Sequence, residues 1–348
     1  MLASIIAFII VIAVCVVVHE YGHYITAKIL GVQVHEFAFG MGTAIFQHRD
    51  KNNMLWSIRI LPIGGFCRLA GMGEEDDDER VIPGKGFNEQ PAWKRFFILL
   101  NGSLFNILLA VLLTALFLYG HGVLDMDHTR IGEIMPGFPS EMAGLRAGDE
   151  ILKVNDINVS KWREMSEKIR EESLKDSNIK LEIKRDQEIL NISVNVPVNK
   201  EYGRPMLGVS PSYERYGLIQ ALTSSAGYTY RMSMMMLRGL YELITQKRDA
   251  DVTGPVGIAS MSGRAMRSGL WDFITFIAII ALNLGILNLF PIPALDGGRI
   301  LFVLLEMIVR RRLPEKVETW IHTAGFVLLI SLMILITCKD VYNLFMTH

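Results

Sequence analysis

The sequence has only three cysteines, Cys15, Cys67 and Cys338, scattered and odd in number. That spacing builds neither a disulfide framework nor a cysteine-based zinc site. It also lacks an excess of charge of either sign: 35 Lys and Arg stand against 36 Asp and Glu, a formal net charge of −1. A nucleic-acid partner is not expected from such a balance. Residues 2 to 18 contain no charged residue at all, and the first basic one is Lys28. The opening run therefore lacks the positive n-region of a secretory signal, and no small-residue cleavage site follows it. It reads as a retained transmembrane helix with its positive end inside.

Apolar residues are abundant. Of the 348 residues 51% are hydrophobic, and the mean hydropathy is +0.31. An excess of this size over the soluble norm points to an integral membrane protein carrying a soluble part. The expected fold is a polytopic α-helical membrane protein of about four transmembrane helices, with a membrane-associated β-loop and an inserted α+β domain outside the cytoplasm.

The chemistry begins at Val18-His19-Glu20-Tyr21-Gly22-His23, an H-E-x-x-H run inside the first apolar helix. Residues i and i+4 lie one above the other on a helix face, so His19 and His23 can aim two imidazoles at one metal ion. Glu20 beside them is placed to take a proton from water activated by that metal. A central ionisable group in a membrane helix costs about 2.5–3.5 kcal/mol, which argues for a function here. At 1.5 Å per residue the stretch before His19 covers about 25 Å of a ~30 Å hydrocarbon core. The motif is expected toward the cytoplasmic side, within the depth of the membrane.

Four segments organise the sequence. Residues 1–127 form an N-terminal membrane part: the helix with HEYGH, a β-loop over 34–72 broken by glycines, and a second span near 96–119. Trp93, Lys94 and Arg95 anchor that span at the interface. The β-loop is expected to dip beside the metal and offer an edge strand to an extended substrate. The acidic run Glu74 to Glu79 reads as a solvated loop. Residues 128–198 form a soluble domain of short strands with two helices. Residues 199–269 are an amphipathic, interfacial linker region. Its stretch Leu218 to Thr245 is apolar but interrupted by Arg231, Arg238 and Glu242. If that stretch lies on the outer surface, the next span ends inside, level with His19, and Arg310 to Arg312 also fall inside.

Residues 270–348 form the C-terminal membrane part, with a span near 270–289 and a last one near 321–337. Between them runs Asn283-Leu284-Gly285-Ile286-Leu287-Asn288-Leu289-Phe290-Pro291-Ile292-Pro293-Ala294-Leu295-Asp296-Gly297-Gly298. Two prolines remove backbone hydrogen bonds in a membrane setting, which requires a reason. The break lets Asp296 turn back toward the bundle as a third metal ligand. Asp296 could alternatively cap the next helix. His19, His23 and Asp296 make a two-His, one-carboxylate set with a fourth position free, the pattern of a catalytic zinc site. Asn283 and Asn288 can donate to a substrate backbone or an oxyanion, or serve helix packing.

"HEYGH", "NLFPIPALDGG" and the intervening "GLRAGDEILKVND" resemble the site-2 protease family of intramembrane zinc proteases. More narrowly, they resemble the bacterial regulator of sigma-E protease type with a single PDZ domain. "LPIGGFCRLAGM" and "GPVGIA" extend the likeness over nearly the whole sequence. The resemblance implies Zn2+ held by His19, His23 and Asp296, Glu20 as the catalytic glutamate, and Asn288, Pro291 and Pro293 in substrate binding. It also implies regulated intramembrane proteolysis in the bacterial inner membrane. The expected substrates are single-span membrane proteins, such as trimmed anti-sigma factors or remnant signal peptides. The PDZ-like domain is expected to take a peptide or the C-terminus of another protein. Gly102-Ser103 departs from the family's usual Gly-Pro, which bears on how the second span packs. A non-proteolytic PDZ-containing receptor with a structural metal site is the competing class, although no good fourth ligand is evident for it.

Overall fold

The computed structural model describes residues 2–51, 53–72, 81–199, 202–245, 253–312 and 314–346. The acidic run Glu74 to Glu79 lies outside them. The protein divides into two compact units, one made of Met1–Phe117 and Ile219–His348, the other of Leu118–Leu218.

In the first unit, α1 (Leu2–Ile29) is followed by β1 (Val34–Arg49), β2 (Leu55–Leu69) and α2 (Ala92–Gly120). Helix α1 stops where Gly31 takes a left-handed φ of 80° and Val32 N–H returns to Ala27 O at 2.9 Å. Strands β1 and β2 form one irregular, twice-bent ladder. Residues 34–39 have 65–69 on one side and 55–58 on the other, while 44–49 pair with 55–59. The turn between them holds Asp50, whose Oδ1 accepts the Met54 N–H. After the inserted unit this part resumes with five more helices, given below.

The inserted unit holds β3 (Val123–Leu124), β4 (Ile131–Ile134), α3 (Pro139–Met142), β5 (Glu150–Val154), β6 (Ile157–Asn158) and α4 (Trp162–Lys175). It continues with β7 (Asn178–Arg185), β8 (Glu188–Asn195), β9 (Val198–Asn199), β10 (Arg204–Pro205), β11 (Val209–Pro211) and β12 (Tyr213–Glu214). The order β6-β5-β7-β8 makes a four-stranded sheet, and β11 pairs with β4 in a second, two-stranded one. Alternate residues of β7 (Ile179, Leu181, Ile183) are buried, as a half-covered strand requires. They meet Met165 and Ile169 from α4 and Ile151 and Val154 from β5 in one core. This is an α+β unit, as expected from the sequence, packed over Leu118–Leu218, a span wider than the expected 128–198. Helix α3 begins with Pro139 in its first turn, and its N-cap residue Phe138 makes no side-chain capping bond.

After it come α5 (Leu218–Ile244), α6 (Pro255–Ser268), α7 (Leu270–Asn288), α8 (Asp296–Val309) and α9 (Glu315–Met346). Among the described residues four helices are long and apolar enough to cross a membrane: Leu2–Ile29, Ala92–Gly120, Leu270–Asn288 and Lys316–Asp340. The protein is thus a polytopic helical membrane protein, as composition indicated. Helix α5 is not among the four. Within the linker region 199–269, "GPVGIA" opens a helix of its own, α6, which packs on α1. Its Gly263 lies so close to Ser4 that a Cβ would meet Ser4 Oγ at 2.0 Å. Small residues let two helices approach in this way where lipid offers no hydrophobic drive.

Candidate metal centre and catalytic glutamate

Two helices converge on one point. His19 and His23 are buried on one face of α1, and Asp296 opens α8. His19 Nε2 and His23 Nε2 are 3.1 Å apart. Asp296 Oδ2 lies 3.0 Å from the first and 3.3 Å from the second. A tetrahedron with bonds of ~2.0–2.1 Å has edges of about 3.3–3.4 Å, so these separations suit one small ion ligated by all three. Among the described residues this is the one cluster of His, Cys, Asp and Glu with such geometry. The alternative reading of Asp296 as a helix cap does not hold. The N-cap of α8 is Leu295, and its side chain makes no capping bond.

The surroundings orient the ligand atoms. His23 Nδ1 is 2.8 Å from the carbonyl of Ile98 on α2. Donation to that carbonyl fixes the proton on Nδ1 and leaves the Nε2 lone pair for a metal. Helix α2 comes close because Gly22 and Gly102 face each other's helices. A Cβ at Gly22 would lie 2.3 Å from Asn101 O, and one at Gly102 would lie 2.3 Å from His23 Nε2. Asn101 Nδ2 donates to Thr26 Oγ1 at 2.8 Å, and Thr26 Oγ1 donates to Gly22 O at 2.8 Å, closing the same contact. The Gly102-Ser103 pair, which departs from the usual family residues, therefore packs α2 directly against the imidazoles. Sequence alone does not choose between packing and catalysis for this polar run. Gly22 within HEYGH is the one signal it offers.

Glu20 is half-buried one residue along α1. Its Oε2 accepts the backbone N–H of Cys67 at 2.9 Å. Cys67 sits on residues 65–69, which pair with 34–39 on one side; among the described residues no strand pairs on the other. That outer side faces α1, and a Cβ at Gly65 would lie 3.6 Å from Val16 Cγ1. The remaining residues predicted for substrate contact sit around the break after α7. Asn283, Asn288 and Pro293 are half-buried and Pro291 is exposed. The hydrogen bonds and ion pairs of His19, His23 and Asp296 do not include them.

Residues 7–332 match the sequence profile of Peptidase family M50. The protein belongs to that family. It is similar over 98% of its length to a putative zinc metalloprotease of Rickettsia conorii, 33% identical across 356 aligned residues and 99% of that relative. A putative zinc metalloprotease of Clostridium acetobutylicum is 32% identical over 340 residues, which covers 97% of both proteins. The regulator of sigma-W protease RasP of Bacillus subtilis is 28% identical over 422 residues, which covers 99% of both. Like these M50 relatives the protein is a zinc metalloprotease, with Zn2+ as its cofactor.

In the inserted unit of this M50 protease, a cavity of about 190 Å3 opens between α4 and residues 204–209, lined by Met135, Trp162, Ile169, Arg170 and Met206 among others. It runs beside β11, whose one ladder partner among the described residues is β4.

Proposed function

We propose that the protein cleaves peptide bonds inside the membrane-spanning segments of single-span membrane proteins, with Zn2+ held by His19, His23 and Asp296. The observation that carries this reading is the convergence of those three ligand atoms, within 3.0–3.3 Å of one another, two of them on α1, an apolar helix of membrane-spanning length, and the third at the start of α8. Zn2+ in such a three-ligand site supplies Lewis acidity, acidifying water and polarising a carbonyl.

The protein's own groups do the rest. Glu20 accepts the proton of the attacking water, whose oxygen adds to the scissile carbonyl carbon. When the C–N bond breaks, Glu20 returns that proton to the departing amine. Cys67 N–H holds the Glu20 carboxylate in place for both transfers. Hydrolysis needs extended backbone, so the substrate helix unwinds locally, and its freed N–H and C=O groups require partners in a place without water. The β-loop of residues 34–72 supplies them by strand addition. Asn288 and Asn283 donate to the substrate backbone or oxyanion, and Pro291 and Pro293 shape the same entry.

The substrates of this reading are segments already trimmed by another protease, such as anti-sigma factors, or remnant signal peptides. The PDZ-like unit lies outside the cytoplasm, binds a freed peptide end beside β11 and restricts entry to trimmed substrates; the metal lies toward the cytoplasmic side of the bacterial inner membrane. Co-expression of wild type or Glu20→Gln with single-span membrane proteins tests the core of this. A substrate should accumulate only with the variant, which keeps its zinc. Equal turnover by Glu20→Gln would overturn the role of Glu20 and favour a receptor with a structural metal.

A further inference from the structure

Helix α9 makes few buried contacts. Among its described residues Gly325 is the one fully buried position, and most others are exposed. Yet Gly325 and His322, one turn apart, both press on the break that carries Asp296. A Cβ at Gly325 would lie 2.4 Å from Pro293 Cβ and 2.8 Å from the Pro293 carbonyl. His322 Nδ1 accepts the backbone N–H of Ala294 at 3.0 Å. Its ring stands edge-on to Phe302 of α8, with centroids 5.5 Å apart.

Ala294 is an unusual place for such a bond. Its φ is +77°, a left-handed conformation that a side chain disfavours. The segment turns tightly around it: Ile292 N–H goes to Phe290 O at 2.7 Å and Leu295 N–H to Ile292 O at 3.2 Å. Pro293 has no N–H and Leu295 N–H is used within the turn, while the Ala294 N–H takes its acceptor from outside the segment. At membrane depth an unmet backbone donor is costly and would drive the turn to rearrange. Imidazole Nδ1 supplies the missing acceptor from a different helix. Two residues later the backbone delivers the Asp296 carboxylate to His19 and His23.

We infer that His322 is a positioning residue for the metal centre: by accepting the Ala294 N–H it locks the left-handed turn that aims Asp296 at the two imidazoles. Gly325 completes the brace by letting α9 sit against Pro293. The last helix thereby acts on the zinc site without touching it. This rests on Asp296 being a zinc ligand, so the test separates the two ideas.

Zinc affinity is measured on the full-length protein in detergent, by competition with a chelator and metal analysis, for wild type, Asp296→Asn, His322→Leu and His322→Asn. Loss of a partner that orients a metal ligand typically weakens binding about 10- to 100-fold. His322→Leu should fall in that range. His322→Asn, whose amide oxygen can take the place of Nδ1, should recover most of it. Wild-type affinity in Asp296→Asn would refute the ligand reading itself. Weakened zinc in Asp296→Asn together with wild-type zinc in folded His322→Leu would overturn the brace alone. Should His322→Leu fail to fold, Gly325→Ala probes the same brace through Pro293. Weaker zinc is again expected, and unchanged zinc would overturn the inference.

Discussion

Cys67 donates its backbone N–H to Glu20 at 2.9 Å across 47 positions of sequence. The bond joins a strand of the β-hairpin to the carboxylate proposed to transfer the proton, so hairpin and helix are tied together at that group. Because the donor is backbone, the side chain is dispensable. Cys67→Ser should leave peptide cleavage near wild type. Cys67→Pro, which has no N–H, should slow it by about 10- to 100-fold, the equivalent of a charge-assisted bond of ~1.5–3 kcal/mol. Equal rates for the two variants would show that the bond does not matter.

Gly102 presents a conflict between local and tertiary preference. Alanine favours an α-helix over glycine by ~1 kcal/mol, so Gly102→Ala should help α2 in isolation. In the folded protein its methyl would lie 2.3 Å from His23 Nε2, the atom proposed to hold zinc. The expected result is a folded protein with little zinc and a large loss of cleavage. Metal analysis beside a detergent melting curve checks both halves.

Glu36 is a buried carboxylate in the hairpin that takes three donors: Ser57 Oγ at 2.5 Å, Arg59 Nη2 at 2.7 Å and Arg68 Nη2 at 3.2 Å. Removing one partner of a buried ion cluster leaves the others uncompensated, at a cost of about 3–5 kcal/mol. Partial exposure of both arginines puts Glu36→Ala toward the low end. Glu36→Gln, which can still accept from Ser57, should lose less. Thermal unfolding of both variants in detergent orders them, and the reverse order would contradict this account.

Asp340 on α9 ties the far end of the bundle. Its two oxygens accept Gly254 N–H at 3.2 Å and Gly257 N–H at 2.8 Å, capping the first turn of α6 from another helix. Loss of an N-terminal cap costs ~0.5–2 kcal/mol. Asp340→Ala should therefore lower stability by that amount while leaving zinc content unchanged, since α6 holds no metal ligand. Asp340→Asn, which keeps one acceptor, should fall between. Detergent melting curves and metal analysis of both variants check this.

Much of the architecture is readable along the sequence. The charge-free run before His19 and the apolar runs near 96–119, 270–289 and 321–337 each form a helix of spanning length. Alternation around Ile179, Leu181 and Ile183 forms a half-buried strand, and Gly31 ends α1 as its position suggests. These features depend on neighbours a few residues away. Helix α6 is harder to see, because its run of small and polar residues advertises no membrane span, and it is the fit of Gly263 against Ser4 that gives it a place.

By itself the sequence determined the chemistry: an i, i+4 pair of imidazoles with a glutamate beside it, and a proline-broken segment ending in an aspartate. Helical geometry imposes the first and the missing proline N–H groups impose the second, whatever surrounds them. Only the tertiary structure decided that Asp296 meets His19 and His23 rather than capping α8, that Cys67 restrains Glu20, and that His322 takes the Ala294 N–H. Those contacts join positions dozens to hundreds of residues apart. Most of them turn on backbone N–H and carbonyl groups that nearly every residue shares, so no local pattern could single them out.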